Sequence, residues 1–128
     1  MARLLIPSGP DARAFSLVVG GSSRVLAMSK IAVLAKLTCL PGFRPEVIEI
    51  LSAQVALVAD EAGTEVYALH TDNTDDVTIW FYERYTDQES LALHGKTEVM
   101  AALGPKLKGK MAARPELTML SPVVAKGL

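Results

Sequence analysis

Two residues in the second half of the chain could together move a proton: a carboxylate at Glu83 and an imidazole at His94. Histidine accepts a proton near neutral pH, so His94 is a candidate general base. Glu83 stands in an otherwise apolar row, where it could orient the histidine or act as a base itself. Both residues also have an ordinary structural interpretation, Glu83 paired with a basic residue or a backbone N–H and His94 hydrogen-bonded on a helix.

A second group of residues could form the walls of an apolar pocket around such a base. Aromatic rings and flexible aliphatic or thioether side chains suit that purpose, although the same residue types also fill ordinary cores. The candidates for contact with a substrate are Tyr67, Trp80, Phe81, Leu91 and Met100.

Four segments rich in β-branched and apolar residues predict the strands that position these side chains. They cover residues 31–38, 64–71, 77–85 and 116–121. The second and third segments are joined by a short polar turn and read as a hairpin. Side chains alternate along a strand, so Phe81, Glu83 and Tyr85 are expected on one face of the third strand and Trp80 on the other.

Periodic apolar residues predict helices between the strands. One helix is expected over residues 44–60, after the turn signal Pro41-Gly42. The spacing of Thr86 and Glu89 is that of a capping box, which predicts a helix from Thr86 to about His94. A further helical stretch follows, and the pair Gly104-Pro105 is expected to kink or split it.

The order β-α-β-β-α-β predicts an α+β fold of the ferredoxin-like type, with both helices on one face of an antiparallel sheet. The first strand is apolar on both faces, so the second face needs a cover. Half of the 128 residues are apolar, which is rich for a small domain. These features predict a homodimer whose sheets pack face to face as a dimeric α+β barrel.

Composition excludes several classes of protein. A net charge of −1 argues against a nucleic-acid binder. No apolar run has the length of a membrane span, and no zinc-ligand spacing is present, so the sequence gives no sign of a metal site. The single cysteine, Cys39, allows no internal disulfide and suggests a reducing, cytoplasmic location.

The composition changes near residue 28, where the irregular N-terminal segment gives way to the regular pattern of strands and helices. We expect residues 1–28 to be an N-terminal extension, such as one translated from an upstream start codon, and residues 29–128 to form the working domain.

The segment from Glu83 to His94 resembles a signature of the antibiotic biosynthesis monooxygenase superfamily. Glu83, Tyr85, Asp87, Leu91 and His94 fill the places of its strand-to-helix element. The Pro41-Gly42 turn and the run Glu61-Ala62-Gly63-Thr64 are similar to two further elements, with Ala62 in place of a common proline. The resemblance covers about residues 30–122.

This resemblance implies a dimeric α+β barrel and, for some members, oxidation of quinols or phenols by O₂ without metal or flavin. It implies that His94 accepts the proton of the substrate and that Glu83 or Tyr85 orients His94 or the substrate. Small-molecule substrate and O₂ would then be the partners, together with a second copy of the chain.

Two other functions remain open alongside it. The isomerase that degrades phosphorylated autoinducer-2 is similar in local sequence, and such an enzyme would need a cation in its pocket, for which Lys36 and Arg84 are the candidates. A non-enzymatic ligand-binding dimer is the other. The sequence argues against haem degradation, because Gly104 and Ala35 stand where haem-degrading relatives carry their iron ligand and an asparagine.

Overall fold

The computed structural model of the chain describes residues 30–127, and the predicted extension over residues 1–28 lies outside them. Within the described residues, Lys30–Ser121 form one compact unit, and the segment after it has no helix or strand. The function of that unit depends on how its sheet and helices place a few polar side chains.

The described residues contain one four-stranded antiparallel sheet, as the sequence predicted. Its strands are β1 (Ile31–Thr38), β2 (Thr64–Thr71), β3 (Thr78–Tyr85) and β4 (Glu116–Leu120). Their spatial order is β2-β3-β1-β4, so β2 and β4 are the edge strands. The predicted bounds are met within one residue, because β-branched and aromatic residues dominate these segments.

Three helices are found in the described residues: α1 (Arg44–Val58), α2 (Gln88–Gly95) and α3 (Glu98–Leu107). The arrangement is the predicted α+β ferredoxin-like fold with the second helical segment divided in two. None of these helices has both the length and the apolar character that crossing a bilayer requires.

Two details of the helix prediction were wrong. The N-cap of α2 is Asp87, whose carboxylate accepts from the Ser90 amide at 2.8 Å, whereas the Thr86 hydroxyl bonds Glu65 instead. The pair Gly104-Pro105 does not split the further helical stretch, because α3 runs through Pro105 to Leu107. A proline near a helix end removes only one hydrogen bond, so the helix continues past it.

The core lies between the sheet and the helices. Strand residues Ala35, Leu37, Ile79 and Phe81 pack there, and Val47 and Leu51 of α1 cover them. The α1 residues recur at helical spacing, which turns one face of that helix towards the sheet.

The helix-free face of the sheet is more polar than the sequence of β1 alone suggested. Leu34 pairs with Tyr82 there, but Lys36 pairs with Trp80 and holds its ammonium 5.8 Å from the indole ring. Arg84 also lies on this face and donates to Glu65 at 2.8 Å. The face therefore combines partly exposed apolar side chains with paired charges.

Candidate functional site

His94 is held inside the protein, between α2 and the sheet. Its side chain is 5 % exposed, although it lies on a short and mostly polar helix. Its ring centroid lies 5.2 Å from that of Tyr67 on β2 and 5.3 Å from that of Tyr85 on β3. The start of α2 is fixed to β2 by the hydrogen bond from the Thr86 amide to the Gly63 carbonyl, at 3.0 Å.

A carboxylate orients the imidazole. His94 Nδ1 lies 2.8 Å from Glu61 Oε1, and the Thr64 hydroxyl donates to the same oxygen at 2.8 Å. A carboxylate accepts but does not donate, so Nδ1 carries the proton in this pair. The other ring nitrogen, Nε2, is then the one that can accept a proton from a substrate.

Glu61 is the site residue that sequence reasoning did not assign. It lies in the turn before β2, within the run Glu61-Ala62-Gly63-Thr64 that carried part of the family resemblance. Glu83 and Tyr85 were the predicted orienting residues, but neither is the group that hydrogen-bonds the His94 ring. The available signal was an acidic residue within the family element, two positions before the glycine that approaches α2.

Glu83 and Tyr85 form a pair of their own. The Tyr85 hydroxyl donates to Glu83 Oε1 at 2.6 Å, and the Glu83 side chain is only 8 % exposed. Burial raises the pKa of the Glu83 carboxyl, against the opposing effects of the Tyr85 hydrogen bond and the nearby His94. The pKa of Tyr85 is also raised, by burial and then by the hydrogen bond and charge of Glu83.

Tyr67 supplies a second phenol next to the histidine. Its ring stacks on Phe81, with the centroids 4.5 Å apart. Burial raises the pKa of Tyr67, and the charges of Glu83 and Glu61 raise it further. Both tyrosines are therefore neutral at physiological pH, when each can donate a hydrogen bond but neither can serve as a base.

A cavity of about 240 Å³ opens beside this group. Its described lining consists of Glu61, Ala62, Gly63, Thr64, Ser90, Leu93, His94 and Thr97. No lysine or arginine is found among those residues. A small molecule in this cavity would contact His94 directly, in surroundings with a single carboxylate.

The sheet brings five of the predicted site residues to one side and separates the others. Those on the helix-covered side are His94, Glu83, Tyr85, Tyr67 and Phe81. Leu91 is half-buried on α2, and Met100 on α3 lines a different cavity of about 360 Å³.

Trp80 does not join them. It lies on the helix-free face, and its indole N–H donates to Asp72 Oδ2 at 2.8 Å. The antiparallel register sets Lys36 and His70 opposite Trp80, whereas Phe81 is opposite Ala35 and Leu69. Because side chains alternate along β3, Trp80 lies on the opposite face of the sheet from the His94 site of the same chain.

Metal ligation has no evident place in the described part of the chain. Within residues 30–127, no three side chains of the types His, Cys, Asp and Glu lie close enough together to hold an ion.

The close approach of Gly63 to α2 gives a first prediction. A Cβ at position 63 would lie 2.5 Å from Ser90 Cβ, so Gly63→Ala should push α2 away and displace His94. Such overpacking typically costs about 1–3 kcal/mol. Thermal or urea unfolding would measure the loss, and Ser90→Gly in the same chain should recover most of it.

The matched control is Gly95→Ala, at the end of the same helix, where an added Cβ would have no heavy atom within 4 Å. Its free energy of unfolding should not fall. If Gly63→Ala is as stable as wild type, the tight contact between Gly63, in the turn before β2, and Ser90 of α2 is wrong.

The buried carboxylate gives a second prediction: Glu83→Gln should unfold at a higher temperature than wild type at neutral pH. Burial raises the folded-state pKa of Glu83, so the stability of the wild type falls as the pH rises from about 4.3 through that raised value. Glutamine carries no charge, and its carbonyl can still accept from Tyr85. The increase in unfolding temperature should reach its full size above the folded-state pKa of Glu83 and should be absent below about pH 4.

Unfolding temperatures across this pH range would check the prediction, with Glu49→Gln on the exposed side of α1 as control. An increase in unfolding temperature that is the same at every pH would contradict the prediction. A lower unfolding temperature than wild type at neutral pH would also contradict it.

The comparisons with known proteins agree with this fold. Residues 30–104 match the family model described as antibiotic biosynthesis monooxygenase. A Caulobacter crescentus crystal structure, described as a candidate antibiotic biosynthesis monooxygenase, is 27 % identical with a TM-score of 0.71 and aligns over 80 % of this chain and 98 % of its own.

Two further structures described in the same terms share the fold at lower identity. The one from Chloroflexus aurantiacus is 23 % identical, with a TM-score of 0.67 over 77 % of this chain and 98 % of its own. The one from Nitrosomonas europaea is 13 % identical, with a TM-score of 0.72 over 77 % and 95 %. No curated protein matches the chain. Since the family model covers more than half of its length, the chain belongs to the antibiotic biosynthesis monooxygenase family.

Proposed function

We propose that this protein is a cofactor-independent monooxygenase that oxidises a quinol or another phenolic small molecule with O₂. The observation that carries the proposal is the pair of buried His94 and partly buried Glu61, with Nδ1 and Oε1 2.8 Å apart, at the wall of a cavity that a small molecule can enter. The neutral phenols of Tyr67 and Tyr85 lie beside the His94 ring, and Phe81 stacks on Tyr67.

The first step is removal of the proton from a substrate hydroxyl by His94 Nε2. Glu61 accepts a hydrogen bond from Nδ1–H throughout the reaction and stabilises the imidazolium as it forms. This makes Nε2 a stronger base towards the substrate. The ring is nearly excluded from water, which favours transfer between substrate and base over exchange with solvent.

The resulting phenolate is electron-rich and can reduce O₂ without a cofactor. One electron passes to O₂, and the two radicals combine to form a C–O bond at a ring carbon. The O–O bond then breaks: one oxygen atom stays on the ring, and the other leaves as water with two substrate hydrogens. All four electrons come from the substrate, which ends as a hydroxyquinone.

Oxygen consumption tests this proposal directly. The purified protein, treated with a chelator and freed of flavin, should consume one O₂ per substrate oxidised with at least one member of a panel of hydroquinones, naphthols and anthrones. The absence of uptake above the spontaneous rate across the panel, in a folded protein, would overturn the proposal.

The isomerase alternative loses support at the cations it requires. Arg84 is paired with Glu65, and Lys36 lies over Trp80 on the helix-free face. The described lining of the His94 cavity contains no lysine or arginine that could hold a phosphate. The bond of His94 to a carboxylate, and not to the backbone, likewise favours an enzyme over a passive binding module.

We further propose a homodimer formed through the helix-free face of the sheet and located in the cytoplasm. Partly exposed apolar side chains on that face, such as Leu34 and Tyr82, support a second copy as their cover, and the free thiol of Cys39 agrees with a reducing compartment. Sedimentation or size exclusion should give twice the mass of the chain. A monomer at micromolar concentration would contradict the dimer.

A further inference from the structure

One side chain at the wall of the His94 cavity has no part in the mechanism above. Ser90 lies on α2, four positions before His94, and both residues line the cavity of about 240 Å³. Residues four apart on a helix lie on the same face, with their Cβ atoms roughly 5–6 Å apart, and the later side chain leans towards the earlier one. A molecule in contact with His94 is therefore within reach of the Ser90 hydroxyl.

The position of the Ser90 hydroxyl is set by the turn before β2. An added Cβ at Gly63, in that turn, would overlap Ser90 Oγ, so the hydroxyl takes the space that a side chain at position 63 would fill. The Ser90 amide donates to the Asp87 carboxylate at 2.8 Å, which fixes the backbone. The same turn carries Glu61, which orients His94. One turn therefore positions both the base and the hydroxyl.

The other two hydroxyls in the described lining of the cavity are bonded to the His94 pair. The Thr64 hydroxyl donates to Glu61 at 2.8 Å, and the Thr97 hydroxyl donates to the His94 carbonyl at 3.1 Å. Their protons are therefore not available to a ligand. Within residues 30–127, the Ser90 hydroxyl bonds neither Glu61 nor His94. Since a serine hydroxyl can donate one hydrogen bond and accept two, it has the capacity to recognise a ligand oxygen beside the base.

We propose that the Ser90 hydroxyl binds a second hydroxyl group of the substrate, while the first loses its proton to His94. The inference rests on the proposed function and narrows its substrate class from phenols in general to quinols, in which the ring carries two hydroxyl groups. The cavity of about 240 Å³ is smaller than the roughly 300–1,000 Å³ of pockets for drug-sized ligands, so it suits a single ring. A ring with one hydroxyl would leave the Ser90 hydroxyl without this partner.

Binding of two one-ring probes under nitrogen tests this without turnover. Hydroquinone carries the second hydroxyl, and 4-methylphenol carries a methyl group of similar size in its place. Ser90→Ala removes only the hydroxyl, and alanine is a good helix former. The ratio of the affinity for hydroquinone to that for 4-methylphenol should therefore fall roughly 2- to 10-fold in this variant, the range for one hydrogen bond between neutral groups. Ligand-observed NMR would measure both affinities.

Ser52→Ala is the matched control, because it removes a hydroxyl from the exposed side of α1; its affinity ratio should equal that of wild type. A second measurement needs no variant. In ¹H–¹⁵N spectra of wild type, hydroquinone should shift the Ser90 amide signal more than 4-methylphenol does, whereas the Ser52 amide signal should not respond. Equal shifts at Ser90 would contradict the proposal even if Ser90→Ala did not fold.

The proposal is overturned if folded Ser90→Ala keeps the wild-type ratio, or if wild type binds neither probe. Failure of the proposed function is a separate result: hydroquinone binding that depends on Ser90, in a protein that consumes no O₂ with any quinol. The reverse result is O₂ uptake with hydroquinone at the same KM in Ser90→Ala and wild type, which would overturn the role of Ser90 and leave the oxygenase in place.

Discussion

His94→Ala should reduce quinol-dependent O₂ consumption by about 10²- to 10⁴-fold, the range expected for loss of a general base. The imidazole lies at the cavity wall and has a second nitrogen free of Glu61, whereas Glu61 Oε1 accepts from His94 Nδ1 and from the Thr64 hydroxyl. The neighbouring tyrosines are neutral, and Glu83 is bound by Tyr85. The loss should be in kcat. Raising the pH should restore part of the rate, because the substrate then ionises in solution before it binds.

The matched control is His70→Ala. His70 is exposed on β2, and its Nδ1 lies 3.1 Å from the Ala68 carbonyl. This variant should keep the wild-type rate. If His94→Ala and His70→Ala oxidise the substrate equally fast, the base is a different group and the proposed mechanism is wrong.

Glu61→Gln should lower kcat by roughly 100-fold or more, by analogy with other carboxylates that orient a catalytic histidine. The amide carries no charge to stabilise the imidazolium, and its N–H₂ group can face Nδ1 and favour the unproductive tautomer. The change removes no buried volume, so the protein should remain folded. Steady-state rates over a range of pH would measure the effect.

Two readouts separate this positioning role from a merely structural one. KM should change little, since the substitution keeps the size of the side chain at the cavity wall, and the acidic limb of the pH–rate profile should move to lower pH. Glu49→Gln, on the exposed side of α1, is the control. A Glu61→Gln enzyme with wild-type kcat would show that the short contact to His94 has no catalytic role.

Local sequence patterns predicted the fold because each strand and helix follows from residues next to one another in the chain. The alternation in β3 placed Phe81, Glu83 and Tyr85 on one face, where the structure also has them. The cap of α2 was misplaced by one residue, because Thr86 and Asp87 are both good N-caps and the hydroxyl of Thr86 bonds Glu65.

The contacts that complete the site could not be predicted in the same way. Glu61 and His94, for example, are 33 positions apart, so this pair depends on how α2 packs against the sheet. Spacing rules within one element do not apply across such distances. Trp80 was misassigned for a different reason. Alternation correctly put it on the other face from Phe81, but it was chosen as a pocket residue for its aromatic side chain alone.

The central claim is that the His94 site transfers one oxygen atom from O₂ to a phenolic substrate. A single-turnover reaction under ¹⁸O₂, analysed by mass spectrometry immediately after quenching, tests it most directly. We predict one ¹⁸O atom in the quinone product and the other in water. In the time that wild type needs for one turnover, His94→Ala should form almost no labelled product. A product without label, formed at the wild-type rate, would show an isomerase or a simple oxidase and contradict the account.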